Sequence, residues 1–234
     1  MPTPKTQANV LKSPAGIRSK SARLLIVDDH PIVREGLASL LASEADLEIC
    51  GQAGTIPEAL SIAEAVRPDL AIVDLGLEKG SGLELIRRFA ACQPPVPAIV
   101  CSLYDESLYA ERALRAGARG YVNKSQATQT IVRAIRRVLE GGIYLSDRMS
   151  ERLARRLAGD TESLTRPLVS QLSDRELEVF QLIGNGFTTA EIAKSLHLGI
   201  KTIETLRRRI KTKLNLTNAA QLARDATAWV VENG

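Results

Sequence analysis

Ala71-Ile72-Val73-Asp74 is an apolar run, rich in β-branched residues, that ends abruptly in a carboxylate and is followed by Gly76, Gly80 and Gly82. It reads as a buried parallel strand. In open α/β sheets, ligands bind beyond the carboxyl ends of the strands. Three other apolar runs end in the same way. Leu24–Val27 meets Asp28 and Asp29, Ala98–Cys101 meets Ser102, and Gly120–Asn123 meets Lys124.

Outward from that strand, the chain alternates two periodicities. Strand-like runs fall at 24–27, 47–53, 71–74, 98–101 and 120–123. Helical spacing marks Ile32 to Leu41, Ile56 to Val66, Leu83 to Phe89, Leu108 to Ala116 and Ile131 to Leu139. Five strand–helix repeats predict a parallel five-stranded sheet covered on both faces. The flavodoxin-like order 2-1-3-4-5 sets strands 1 and 3 side by side, so Asp28, Asp29 and Asp74 would share one crevice.

No strand signal returns after Gln171. Ser173 followed by Glu176 is a capping box, and helices are expected over Leu177–Ile183, Thr188–Leu196, Ile200–Leu214 and from Thr217 onward. Two helices joined by the turn His197-Leu198-Gly199 and framed by two others form a helix-turn-helix pattern. The expected organisation is a disordered basic tail (1–22), an α/β domain (23–145), a linker with a short helix at Asp147–Leu157 (146–170), and an all-α four-helix domain (171–234).

Bulk properties narrow the field. With 234 residues there is room for two domains, and a net charge of +4 is too weak to name a partner. Three cysteines without a Cys-x-x-Cys pair argue against disulfide scaffolding and structural zinc. No signal peptide or membrane-length apolar run is present. The expectation is a soluble cytoplasmic protein without a membrane partner.

Three carboxylates in one crevice repel unless a cation joins them. Oxygen ligands with open positions suit Mg²⁺, which shares readily with phosphate. A carboxylate is also a nucleophile toward phosphoryl groups. Asp74 is the natural acceptor, Asp28 and Asp29 the metal holders, Lys124 a point charge for a phosphate oxygen, and Ser102 a hydroxyl for another. Singly, each has an ordinary account as a helix cap or surface lysine. Together, four strand ends with complementary chemistry favour function.

Residues 23–142 resemble a two-component receiver domain through Asp28-Asp29, Asp74, Ser102, Lys124 and Tyr121. The resemblance implies that a sensor histidine kinase donates the phosphoryl group to Asp74. It also implies that Asp74 and the Gly76 carbonyl join the metal site, and that Ser102 and Tyr121 move as a switch. By spacing alone Tyr121 is equally an edge-of-core aromatic. Glu78 stands where the family usually has proline, which leaves that loop less rigid and more acidic.

Lys201, Arg207, Arg208, Arg209, Lys211 and Lys213 crowd one helix, opposed only by Glu204. Ile203, Leu206, Ile210 and Leu214 form its apolar stripe. A charged face opposite such a stripe is commonly just solvated; the shortage of acids and the preceding turn favour a helix that enters the DNA major groove. Leu172 to about Leu222 resembles the helix-turn-helix of NarL/FixJ (LuxR-type) regulators through Glu191-Ile192-Ala193, Lys201-Thr202-Ile203-Glu204-Thr205 and Lys213-Leu214, among others. Glu204, Thr205 and Arg208 are the expected base readers. Lys201, Arg209 and Lys211 are the expected phosphate contacts, with Thr202 beside them. Leu206 departs from the polar or aromatic residue common there, and Gly199 replaces a Ser or Thr cap. The last helix, with Trp229 and Val230, has two readings, a dimer surface as in the family or ordinary core.

The resulting expectation is a phosphorylation-controlled transcription factor rather than an enzyme. It would bind promoter double-stranded DNA as a homodimer and meet RNA polymerase there, and its receiver would mask the recognition helix until Asp74 is phosphorylated. An aspartate-nucleophile phosphohydrolase of the haloacid dehalogenase type wants a second Asp where Gly76 stands. A flavin-binding flavodoxin-like module wants a phosphate loop where Asp28-Asp29 stands. A receiver serving as a constitutive dimer module, unphosphorylated in the cell, fits the sequence as well.

Overall fold

The computed structural model describes residues 21–77, 80–158 and 168–233. The basic tail through residue 20, Glu78 and the Gly159–Pro167 part of the linker lie outside them. Five parallel strands, β1 (Ala22–Val27), β2 (Leu47–Ala53), β3 (Leu70–Val73), β4 (Ala98–Ser102) and β5 (Gly120–Asn123), pair in the order β2-β1-β3-β4-β5. Every residue of β3 and β4 is buried. That explains their continuous apolar reading, since both faces carry helices.

The helices are α1 (Pro31–Leu41), α2 (Ile56–Val66), α3 (Gly82–Ala91), α4 (Glu106–Ala116) and α5 (Ala127–Leu139). Leu24, Ile26, Leu70, Ile72, Ile99 and Cys101 point to the layer of α1 and α5. Leu25, Val27, Ala71, Val73, Ala98 and Val100 point to the layer of α2, α3 and α4. The alternation of strand residues thus divides two cores. After β3 the chain must turn back sharply. A side chain at Gly82 would meet the Asp74 carbonyl at 2.0 Å, so α3 can begin there only with glycine.

Beyond α5, Tyr144 extends the sheet edge. Its carbonyl accepts from Tyr121 N at 2.9 Å, and its N–H donates to Arg119 at 2.9 Å. Helix α6 (Asp147–Leu157) docks on α4: Met149 is buried, and Ser146 N donates to Glu106 Oε1 at 2.9 Å.

The C-terminal part contains α7 (Asp174–Gly184), α8 (Thr189–Ser195), α9 (Ile200–Lys213) and α10 (Ala219–Asn233). The Ser173–Glu176 capping box forms, and a second, unforeseen one joins Thr188 and Glu191 at the start of α8. Gly199 caps α9 with no side-chain bond, at a cost of only a few tenths of a kcal/mol relative to Ser or Thr. Gly184 lets α7 and α10 approach closely, since a Cβ there would meet the Ala226 carbonyl at 2.5 Å. Among the described residues no helix is long and apolar enough to cross a membrane.

Candidate functional site

The strand order brings the expected residues to one end of the sheet. Asp74 follows β3, and its N–H donates to the Val27 carbonyl of β1 at 2.8 Å, so its backbone is pinned to the neighbouring strand. Asp28 and Asp74 are almost fully buried. Lys124 reaches across from β5, with Nζ 2.6 Å from Asp28 Oδ2 and 2.8 Å from Asp74 Oδ2. Burial works against the ammonium charge, but Asp74 and Asp28 outweigh it and hold the Lys124 pKa above that of an ordinary lysine.

Carboxylate oxygens of Asp28, Asp29 and Asp74 and a ring nitrogen of His30 all lie within 4.8 Å of one another. His30 carries no expected role from the sequence. Here its Nδ1 lies 2.7 Å from Asp29 Oδ1, and its backbone N–H donates to Asp28 Oδ1 at 2.9 Å. Asp74 Oδ1 is buried and accepts no hydrogen bond. An unsatisfied buried carboxylate oxygen is costly, and a hard cation would satisfy it. The three carboxylates therefore fit a magnesium-type ion held by few protein oxygens.

Ser102 is buried at the end of β4, and its Oγ accepts from Tyr104 N at 3.4 Å. Tyr121 is also buried, and its hydroxyl donates to the Tyr104 carbonyl at 2.8 Å. Both predicted switch residues thus hold Tyr104, a residue the sequence reading passed over. Gly76 lies closely under the Tyr104 hydroxyl and near Asp74 Oδ2. They lie 3.3 and 3.8 Å from the point a Gly76 Cβ would occupy.

In α9, Ile203, Leu206 and Ile210 are buried, whereas Lys201, Thr202, Glu204, Arg208 and Arg209 are exposed. The departure at Leu206 is thereby explained, since that position packs inward. Thr205 is half-buried and its hydroxyl donates to the Lys201 carbonyl at 2.9 Å. Glu204, Arg208 and Lys211 line one shallow groove together with Arg207, which the sequence reading left unassigned. Thr202 and Arg209 share the other flank, one being seven residues from the other. Lys213 serves structure instead, with Nζ 2.6 Å from the buried Glu176.

The expected masking of the recognition helix does not occur among the described residues. The receiver packs on α7 and α10. Tyr104 donates to Glu178, Tyr109 to Gln181 Oε1 at 3.0 Å, and Arg112 to the Leu172 carbonyl at 2.8 Å and Asp174 at 3.0 Å. Leu103, Tyr104 and Leu108 share a cavity of about 200 Å³ with Trp229 and Val230. Trp229 also packs edge-on against Phe180, with ring centroids 5.5 Å apart, as a core residue would. Polar groups on α4 complement α7, whereas α9 offers mainly bases to solvent.

Comparison with known proteins supplies the context. Residues 24–136 match the response regulator receiver domain, and residues 170–226 match the bacterial regulatory proteins of the luxR family. Response regulator GacA of Pseudomonas aeruginosa is 33% identical over 86% of this chain and 93% of its own. The DNA-binding transcriptional activator DevR/DosR of Mycobacterium tuberculosis is 33% identical over 88% of this chain and 94% of its own. Among solved structures, RcsB of Salmonella enterica serovar Typhimurium, bound to promoter rprA in the presence of the phosphomimetic BeF3-, is 25% identical. It covers 89% of this chain and 99% of its own, with a TM-score of 0.59.

Proposed function

Because the chain belongs to the two-component response regulators of the NarL/FixJ (LuxR-type) family, we propose that Asp74 is its phosphoacceptor and that α9 reads promoter DNA. The family regulates transcription. The observation that carries the site assignment is the convergence of three strand ends on Lys124, whose Nζ lies 2.6 Å from Asp28 Oδ2 and 2.8 Å from Asp74 Oδ2.

In the proposed step, a carboxylate oxygen of Asp74 attacks the phosphorus of a phosphohistidine on a sensor kinase. An O–P bond forms, the P–N bond breaks, and the electron pair leaves with the imidazole nitrogen. A magnesium ion would be held by Asp28, Asp29, Asp74 and the Gly76 carbonyl, and when bound it neutralises charge on the phosphoryl oxygens. Lys124 supplies a fixed positive charge to one oxygen and Ser102 a hydroxyl to another. Tyr121 follows Ser102 through its bond to the Tyr104 carbonyl. Gly76 leaves no second carboxyl to work as acid and base, so the group is stored rather than turned over.

The exposed face of α9 fits the major groove. Arg208, Thr205 and Glu204 face base edges; Lys201, Arg209, Thr202 and Lys211 stand toward the backbone, with Arg207 beside Lys211. The segregation of Thr202 and Arg209 to one flank and Arg207 and Lys211 to the other suits a helix with a phosphate backbone on each side. The protein would act as a homodimer on two half-sites, in the cytoplasm where the DNA and RNA polymerase are. Gel shifts with and without a small-molecule phosphodonor test this reading. Binding to a preferred site should strengthen in the native chain and not in Asp74→Asn. Identical binding in every case would refute it.

A further inference from the structure

His30 is one of two histidines in the chain, and its side chain is 65% exposed at the rim of the acidic pocket. Its Nδ1 nevertheless faces the carboxylates, 2.7 Å from Asp29 Oδ1 and 3.4 Å from Asp28 Oδ1. The shorter approach lacks hydrogen-bond geometry, since Asp29 Oδ1 is buried with no hydrogen-bond partner. Asp74 Oδ1 is likewise buried without a partner, in a residue only 5% exposed. Lys124 occupies the remaining oxygen of Asp74 and one of Asp28. Four side chains thus offer donor atoms within 4.8 Å of one another.

We propose that His30 is a nitrogen ligand in this pocket, which makes it a mixed-donor site for a borderline transition-metal ion such as Zn²⁺ as well as for Mg²⁺, and that the zinc-class ion bars phosphoryl uptake. The bar rests on Asp74 being the phosphoacceptor; the nitrogen ligand does not.

The spacing is that of ligands on one ion. Donors at the usual zinc distances stand about 3 Å apart around the metal, and the two separations from Nδ1 bracket that value. Three carboxylates face one ammonium, so a divalent cation balances the excess charge. The donor set then decides which cation. Mg²⁺ takes oxygen and keeps several waters, whereas imidazole suits zinc, nickel and iron.

The two kinds of ion leave the pocket in different states. Mg²⁺ held by few protein oxygens keeps positions open for a phosphoryl oxygen. A zinc-class ion that takes His30 as its fourth protein ligand has a closed tetrahedral shell. It also engages the carboxylate of Asp74, which would otherwise act as nucleophile. The identity of the bound metal therefore sets whether the pocket accepts a phosphoryl group.

The test titrates the full chain with Zn²⁺ and, separately, with Mg²⁺, reading calorimetry and the ring-nitrogen NMR signals of the two histidines. Zinc should shift the His30 signals. His30→Gln alters an exposed side chain and should weaken zinc binding by about tenfold or more, with a much smaller effect on Mg²⁺. Any oxygen site also favours zinc over magnesium, so the dependence on His30 is the informative readout. Zinc affinity unchanged in His30→Gln, or His30 signals that stay fixed at saturation, would overturn the nitrogen ligand. Equal losses for both ions would overturn it too, since His30 would then only hold the turn. Phosphoryl uptake from acetyl phosphate in Mg²⁺ should fall on adding zinc in the native chain and far less in His30→Gln. Uptake indifferent to zinc would overturn the bar. If the native chain takes up no phosphoryl group on Asp74 in Mg²⁺ alone, the bar falls with the assignment of Asp74, while the titrations still decide the ligand.

Discussion

The ammonium of Lys124 lies 2.8 Å from Asp74 Oδ2, at the end of a side chain only 10% exposed. Without a magnesium ion, this contact and its counterpart at Asp28 are what make two buried carboxylates tolerable in one pocket. Removing one partner of a buried ion pair commonly costs about 3–5 kcal/mol. Lys124→Ala should therefore lose about 3 kcal/mol of stability in chelator. Millimolar Mg²⁺ should restore part of it, because an ion bound only to the native state stabilises that state. Urea melts with EDTA and with MgCl2 check this. A variant as stable as the native chain in EDTA would contradict the pairing.

The second domain has its own pH-sensitive contact. Burial tends to raise the pKa of Glu176, but hydrogen bonds from Lys213 and from Ser173 outweigh it and hold the carboxyl below the usual glutamate range. A group whose pKa is depressed by folding contributes stability that is present above its unfolded value. That stability is lost as pH falls through the folded value. The C-terminal helices should thus lose stability as pH drops below about 4.5, and Lys213→Ala should flatten that acid dependence. Thermal melts between pH 6 and pH 3, roughly the span of carboxylate titration, would show it. An unchanged acid profile in the variant would count against the pair.

Recognition by α9 predicts two kinds of loss. Lys211→Ala should weaken binding on all sequences and reduce the slope of log affinity against log salt by about one unit. Arg208→Ala should relax preference at one base pair by about 1–3 kcal/mol. Equal losses on specific and random DNA for both variants would contradict the division between backbone and base contacts.

Cys101 lies in the core at the end of β4, and burial pushes its thiol up to about 12. The thiolate is the reactive species. Iodoacetamide at mildly alkaline pH should therefore modify Cys101 only after denaturant is added, as peptide mapping would show. Rapid labelling of native Cys101 would mean that β4 is open at its end.

Much of this was legible in the chain. The runs before Asp28, Asp74, Ser102 and Lys124 are buried on both faces, so their apolar reading is unbroken, and the repeating strand–helix pattern dictates the sheet order that gathers them. Boundaries moved by a residue or two where pairing prevailed over local composition: β1 begins at Ala22, whose N–H donates to the Asp46 carbonyl at 2.8 Å. The contacts between the two halves were not legible. Tyr104 and Glu178 are 74 residues apart, and nothing in the local periodicity of either marks the other. The masking expectation failed for the same reason, since docking is decided by polar complementarity between α4 and α7 rather than by the charge on α9. Arg207 has no assigned role in the sequence because its neighbours Arg208 and Arg209 are equally basic. Only its place beside Glu204 and Lys211 distinguishes it.

The most direct test treats the full chain with acetyl phosphate and Mg²⁺, then maps the product by peptide mass spectrometry under conditions that preserve acyl phosphates. The account predicts a single phosphoryl group on the peptide that contains Asp74, absent without Mg²⁺ and absent in Asp74→Asn. A phosphoryl group on any other residue, or none in the native chain, would contradict it.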